Sequence, residues 1–141
     1  MTNQENAAYA RVSWQRFNKE ITGELARAIV SAFALVAVAD GDLAESEVDS
    51  FVKLIYENED IQAALDFKRY EPLFRDISGA ILSDPEAGKE KALESIAAVK
   101  GDSDHCDLVE SAAQIALMAD NRERESETRV LGLIRSALDK Q

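Results

Sequence analysis

The chain has 141 residues, 46% of them hydrophobic, which suits one domain with its own core rather than two. Asp and Glu number 27 against 16 Lys and Arg, for a net charge of -11. So acidic a chain repels phosphate backbones and anionic lipid faces, which argues against general nucleic-acid or membrane-surface binding and favours cationic partners.

In chain order, residues 1–21 form an N-terminal accessory segment. Trp14 and Phe17, near Arg11, Arg16 and Lys19, read as an accessory helix packed on a core. Residues 22–141 form the helical domain. Thr22 is a plausible N-cap, and Leu25, Ile29, Phe33 and Val36 then recur at helical spacing. The twelve uncharged residues Ala28 to Ala39 are too few to span a bilayer and predict a buried helix.

After the Ala39-Asp40-Gly41-Asp42 break, Val48, Phe51, Val52 and Ile55 form a second apolar stripe, and Asn58 to Leu65 reads as a short helix. Pro72 fits the first turn of the next helix, which carries Leu73, Phe74, Ile77 and Ile81. Asp84-Pro85 is an N-cap followed by proline at the first helical position, opening a helix through Leu93, Ile96 and Val99. Gly101 to Ser103 breaks the chain. One helix follows with Leu108, Val109, Ala112, Ile115 and Ala116, and another with Val130, Leu131, Ile134 and Leu138. No stretch alternates with period two, so the expected fold is all-α, a compact domain of about six to eight helices.

The charge is local: residues 40–66 hold nine acidic side chains and one basic one. That region opens with Ala39-Asp40-Gly41-Asp42-Leu43-Ala44-Glu45-Ser46-Glu47. The stretch returns 80 residues later as Ala119-Asp120-Asn121-Arg122-Glu123-Arg124-Glu125-Ser126-Glu127. Leu35 aligns with Ile115, Phe51 with Leu131 and Leu54 with Ile134, so a helix-loop-helix is duplicated and an internal pseudo-two-fold repeat is expected. Asp40, Gly41, Asp42, Leu43 and Glu47 match the second half of a calcium-binding EF-hand loop: a turn glycine, two hard oxygen donors, and a glutamate reaching back from the next helix. The first half is missing, since Val36 and Val38 stand where carboxylates would. One half-loop supplies three or four oxygens, whereas calcium takes about six to eight. Water therefore completes the site, or the two half-loops share an ion.

The second loop is poorer, with Asn121 in place of glycine and Arg122 in place of a ligand, but Asp120 and Glu127 persist. The competing reading is helix capping and dipole compensation by first-turn acids. Asp40, Asp42, Glu45, Glu47 and Asp49 lie within ten residues without a basic neighbour, a density that capping does not require.

This paired signature after apolar, alanine-rich helices resembles the TerB family of bacterial tellurite-resistance proteins over roughly residues 25–138. Tyr70 to Lys100 looks like that family's central helix pair. The resemblance implies an all-helical, internally pseudo-symmetric fold and a non-enzymatic role in tellurite and related chemical stress, through metal-linked complexes at the inner membrane. The family's acidic positions fall on Asp40, Asp42, Glu47, Asp120 and Glu127, and Asn121 and Arg122 depart from its usual pattern. The implied ligand is a divalent metal ion, calcium ahead of zinc or magnesium. The implied partner is a basic protein surface or a membrane-bound protein, without nucleic acid and without direct membrane insertion. Both readings make the chain a binding module: a cation module, or a metal-independent scaffold whose acidic face docks a basic partner.

Other chemistry is thin. His105 and Cys106 are the only residues of their kinds, but neighbours on a helix point about 100° apart and do not converge on one ion. Ser103 or Asp104 reads instead as a helix cap. No phosphate loop or nucleophile with its base is present, so the chain reads as no enzyme. One cysteine leaves no disulfide framework, and the N-terminus shows no basic region leading into an apolar run. Both point to a cytoplasmic protein, peripheral to the inner membrane through a partner at most.

Overall fold

The first helix is fixed by its own composition: between Ala28 and Ala37 it carries no charged side chain, so every face can be buried. The computed structural model of the chain describes residues 23–38, 45–59, 62, 65–120 and 124–138, with side chains except at 45–47, 118–120 and 124–128. Among these residues the fold is all-α, with six helices: α1 (Gly23–Ala37), α2 (Glu45–Glu57), α3 (Phe67–Ser83), α4 (Pro85–Ala97), α5 (Ser103–Asp120) and α6 (Arg124–Ala137). Thr22 and the accessory segment lie outside the described residues. Glu59 and Gln62, inside the span read as a short helix, are helical.

The chain enters α1 through Gly23, whose φ of 63° is left-handed backbone that strongly favours glycine. Beyond it only Glu24 and Arg27 of α1 are exposed, and Ile29, Val30, Phe33 and Val36 are fully buried. The other helices wrap this axis: α2, α3, α4, α5 and α6 all pack on α1.

Four phenylalanines bind three of the helices together. The Phe33 ring of α1 lies 6.2 Å from Phe51 of α2 and 6.5 Å from Phe67 of α3, and Phe74 lies 5.6 Å from both Phe51 and Phe67. Their tilted, stacked and edge-on geometries are those that ring quadrupoles favour. Each buried ring contributes roughly 1.5–3 kcal/mol through area alone.

Helix α3 begins at Phe67, so Pro72 stands in its interior and not in its first turn. Proline there forfeits one backbone bond and crowds the preceding turn. Burial of Phe67 and half-burial of Tyr70 favour the earlier start, as does the tight Arg69 N–H bond to the Asp66 carbonyl at 3.1 Å. The turn into α4 is as the sequence predicts: Asp84 Oδ1 accepts from Ala87 N at 3.2 Å, and Pro85 is the first helical residue. Gly88 lets the two helices close, because a Cβ there would sit 2.5 Å from Ile81 Cα.

The cap of α5 is neither Ser103 nor Asp104. Asp102 Oδ1 accepts from Asp104 N at 3.0 Å and His105 N at 3.2 Å, because a cap must stand just outside the first helical residue, here Ser103.

Candidate functional site

Each half-loop is framed by helices, as the repeat requires. Residues 38–44 join α1 to α2, and residues 121–123 join α5 to α6. The two leading helices, α1 and α5, pack on each other. The trailing helices cross over, α2 reaching α5 and α6 reaching α1. Asp40 and Asp42 lie outside the described residues. Glu47 stands in the first turn of α2, Asp120 is the last residue of α5 and Glu127 stands in the first turn of α6; the side chains of these three are not among those described.

The two copies are not equivalent. Helix α5 runs through Asp120, whereas α1 ends at Ala37, three residues before the matching Asp40. Asp120 is therefore held on helical backbone. The leading helices keep the 80-residue offset in burial: Ser31 and Ser111, Phe33 and Ala113, and Leu35 and Ile115 are buried pairs.

The trailing helices do not keep it. Phe51 is buried where Leu131 is half-buried, and Leu54 is half-buried where Ile134 is buried. An offset of 79 pairs buried Phe51 with buried Val130, and buried Ile55 with buried Ile134. One residue turns a helix by about 100°, so the sequence alignment and the packing register differ by one position after the loop. In that register Ser126, not Glu127, matches Glu47.

The acidic run gains a counter-charge that only the tertiary fold supplies. Arg75 of α3 donates from Nη1 to Asp49 Oδ1 at 2.8 Å and from Nε to Glu71 Oε2 at 2.9 Å. Tyr56, two turns along α2 from Asp49, donates its hydroxyl to Glu71 Oε1 at 2.5 Å. The Tyr56 hydroxyl, then Arg75, hold the Glu71 carboxyl below the usual carboxylate range. The same bond to Glu71 pushes the Tyr56 phenol up, and Asp49 followed by Glu71 raises the Arg75 guanidinium further. Glu71 and Arg75 are an i,i+4 pair visible in the sequence. Their meeting with Asp49 and Tyr56 is not.

A second feature lies between α4 and α6: an open groove of about 610 Å³. Leu93 and Ala97 of α4 and Leu133 and Ala137 of α6 line it, and Glu86, Glu90 and Glu94 border it at helical spacing, with Lys89 as the one basic group among them. Leu133 is one of two exposed large hydrophobic side chains among the described residues, at 36%. Across α6, Arg135 binds Glu110 of α5 at 2.8 Å, which ties the helix down.

Cys106 is buried, with Sγ 3.6 Å from the Val99 carbonyl and 3.5 Å from that of Lys100, so it closes the end of α4. His105 Nδ1 lies 3.6 Å from Asp102 Oδ2. Among the described residues no three His, Cys, Asp or Glu groups converge in a metal-holding cluster, and no helix is long and apolar enough to cross a membrane. No protein-family model, curated protein or solved structure matches the chain.

Proposed function

We propose that the chain is a non-enzymatic, TerB-like stress-response module that holds a divalent cation at its first half-loop. Asp40, Asp42 and Glu47 are the ligands, and water fills the remaining positions. The supporting observation is the framing: two helix-loop-helix units whose leading helices pack together and whose trailing helices cross over. Aspartate and glutamate oxygens are hard donors, which fits calcium first and magnesium next, with zinc third. Arg75 engages Asp49, which leaves the ligand role to the residues before it. Asp120 and Glu127 are subsidiary ligands in this reading, weakened by the helical setting of Asp120 and by nearby Arg122 and Arg124. The family resemblance adds the role in tellurite and related stress, in the cytoplasm and next to the inner membrane through a partner.

Thermal unfolding with calcium, magnesium or zinc tests the cation site, on wild type and on Asp40→Asn/Glu47→Gln. At about 100 times the dissociation constant, a ligand adds about 2.7 kcal/mol. Wild type should gain that and the double variant should not. Equal midpoints for the two proteins in every metal would end the cation reading.

The glutamate-bordered groove favours a second reading, a metal-independent scaffold that docks a basic protein. A basic amphipathic peptide should bind there, weaken steeply as salt rises, and be lost in Leu133→Asp. Salt-insensitive binding, or binding untouched by that substitution, counts against it.

A further inference from the structure

We propose that a separate groove, framed by α1, α3 and α4, binds an organic monocarboxylate with a short apolar body. The cavity measures about 290 Å³. That is near the small end of ligand pockets, ~300–1,000 Å³. Leu73, Ile77 and Ala80 of α3 give it an apolar wall, and Arg27 of α1 and Lys91 of α4 bring two cations to it. Gly88 also lines it, at the corner where α4 closes on Ile81.

The cations carry the argument. Arg27 donates from Nε to Ser95 Oγ at 3.1 Å, and that hydroxyl donates onward to the Lys91 carbonyl at 3.3 Å. This relay steadies the guanidinium through Nε alone. Both Nη groups of Arg27 and the Lys91 ammonium have no carboxylate partner among the described residues.

Lys53, Lys68 and Lys100 also make no ion pair among the described residues, and what sets Arg27 and Lys91 apart is that they line one cavity beside an apolar wall. Arg75 and Arg135, on other faces, each hold a carboxylate at 2.8 Å. Asp76 is the third charged group lining the groove and makes no ion pair among the described residues. The lining therefore carries a net charge of +1, which one carboxylate neutralises and a dianionic phosphate overshoots. A planar guanidinium fork suits a carboxylate in particular. The apolar wall beside it selects an acid with a hydrocarbon body over a small inorganic anion.

Octanoate is the probe, titrated calorimetrically into the full chain, with octanol, octylamine and inorganic phosphate as comparisons. Octanoate should bind saturably at one site and more tightly than the other three. Arg27→Gln and Lys91→Gln should each weaken it roughly tenfold, about one charge-assisted hydrogen bond. Ala80→Phe, at an exposed position that lines the groove, should abolish it, and Arg135→Gln should leave it unchanged. Circular dichroism of each variant confirms the fold before titration. The proposal fails if octanoate shows no saturable heat, if octanol or phosphate binds as tightly, or if folded Arg27→Gln and Ala80→Phe both bind at wild-type strength.

Discussion

Gly88→Ala is the sharpest probe of how α3 and α4 are joined. By helix propensity alone the change should stabilise, since alanine is favoured over glycine in a helix interior by about 1 kcal/mol. The packing opposes it. An added Cβ would stand 2.5 Å from Ile81 Cα, 2.6 Å from Ile81 N and 2.7 Å from the Ala80 carbonyl carbon. These are backbone atoms, and ordinary carbon contacts lie near 3.5–4.0 Å, so the helices must part by about 1 Å. Neither moves freely: α3 is anchored by Phe67, Phe74 and Ile81, and α4 by Ala92 and Ile96, all buried. Overpacking of this kind costs roughly 1–3 kcal/mol, and the strictly backbone contact puts it at the upper end. The net expectation is a loss of about 1–2 kcal/mol. Gly79 and Gly132 are interior helical glycines with open space around the added Cβ, so Gly79→Ala and Gly132→Ala should gain about 0.5–1 kcal/mol. Urea unfolding measures all three, with the midpoint moving and the slope constant. If Gly88→Ala is as stable as wild type, the close approach of the two helices is wrong.

The caps can be ranked the same way. Asp84→Ala and Asp102→Ala should each cost about 1 kcal/mol in urea unfolding, while Ser103→Ala should be near neutral, and a large loss at Ser103 would reassign the cap of α5. Ser31 and Ser78 are buried with hydroxyls that have no partner among the described residues, so Ser31→Ala and Ser78→Ala should raise the stability by about 0.5–1.5 kcal/mol; a loss would show the hydroxyls bonded. The Glu71 network gives a pH dependence. Because the folded Glu71 carboxyl is held below its unfolded value, its contribution is complete above the unfolded value of about 4.3 and fades as pH falls through the folded one. Tyr56→Phe removes the first cause of that depression, so stability measured between about pH 5 and 2 should fall less steeply in the variant, and parallel profiles would refute the bond.

Helical periodicity made most of the fold readable. The apolar stripe of α2 is buried at all four positions named from spacing, Val48, Phe51, Val52 and Ile55. Asp84-Pro85 could be read because proline and a carboxylate are both local signals. The start of α3 was hidden, since a proline ordinarily marks a first turn, and the burial of Phe67 that outweighs it depends on Phe33 and Phe74, which approach only in the fold. The same limit applied to the acidic run. From Asp40 to Asp49 the chain holds no basic residue, yet Arg75 reaches Asp49 from 26 residues away. Arg27 and Lys91, 64 positions apart, meet at one groove for reasons that no local pattern contains.

The packing register bears on how much the duplication can carry. Had both loops kept the 80-residue offset, Glu47 and Glu127 would occupy equal places on their helices and a shared ion would follow naturally. The leading helices do keep it, down to the buried pair Ser31 and Ser111. Beyond the loops the buried faces align at 79, which turns the trailing helix by one position and brings Ser126 into line with Glu47. The join between α5 and α6 is also shorter, three residues against seven. A short connection with Asp120 already inside a helix has little slack to fold back around a cation, and its loop lacks the glycine that the sharp turn uses. The cation reading therefore stands or falls with Asp40, Asp42 and Glu47, and the second unit keeps the architecture of the repeat without requiring its chemistry.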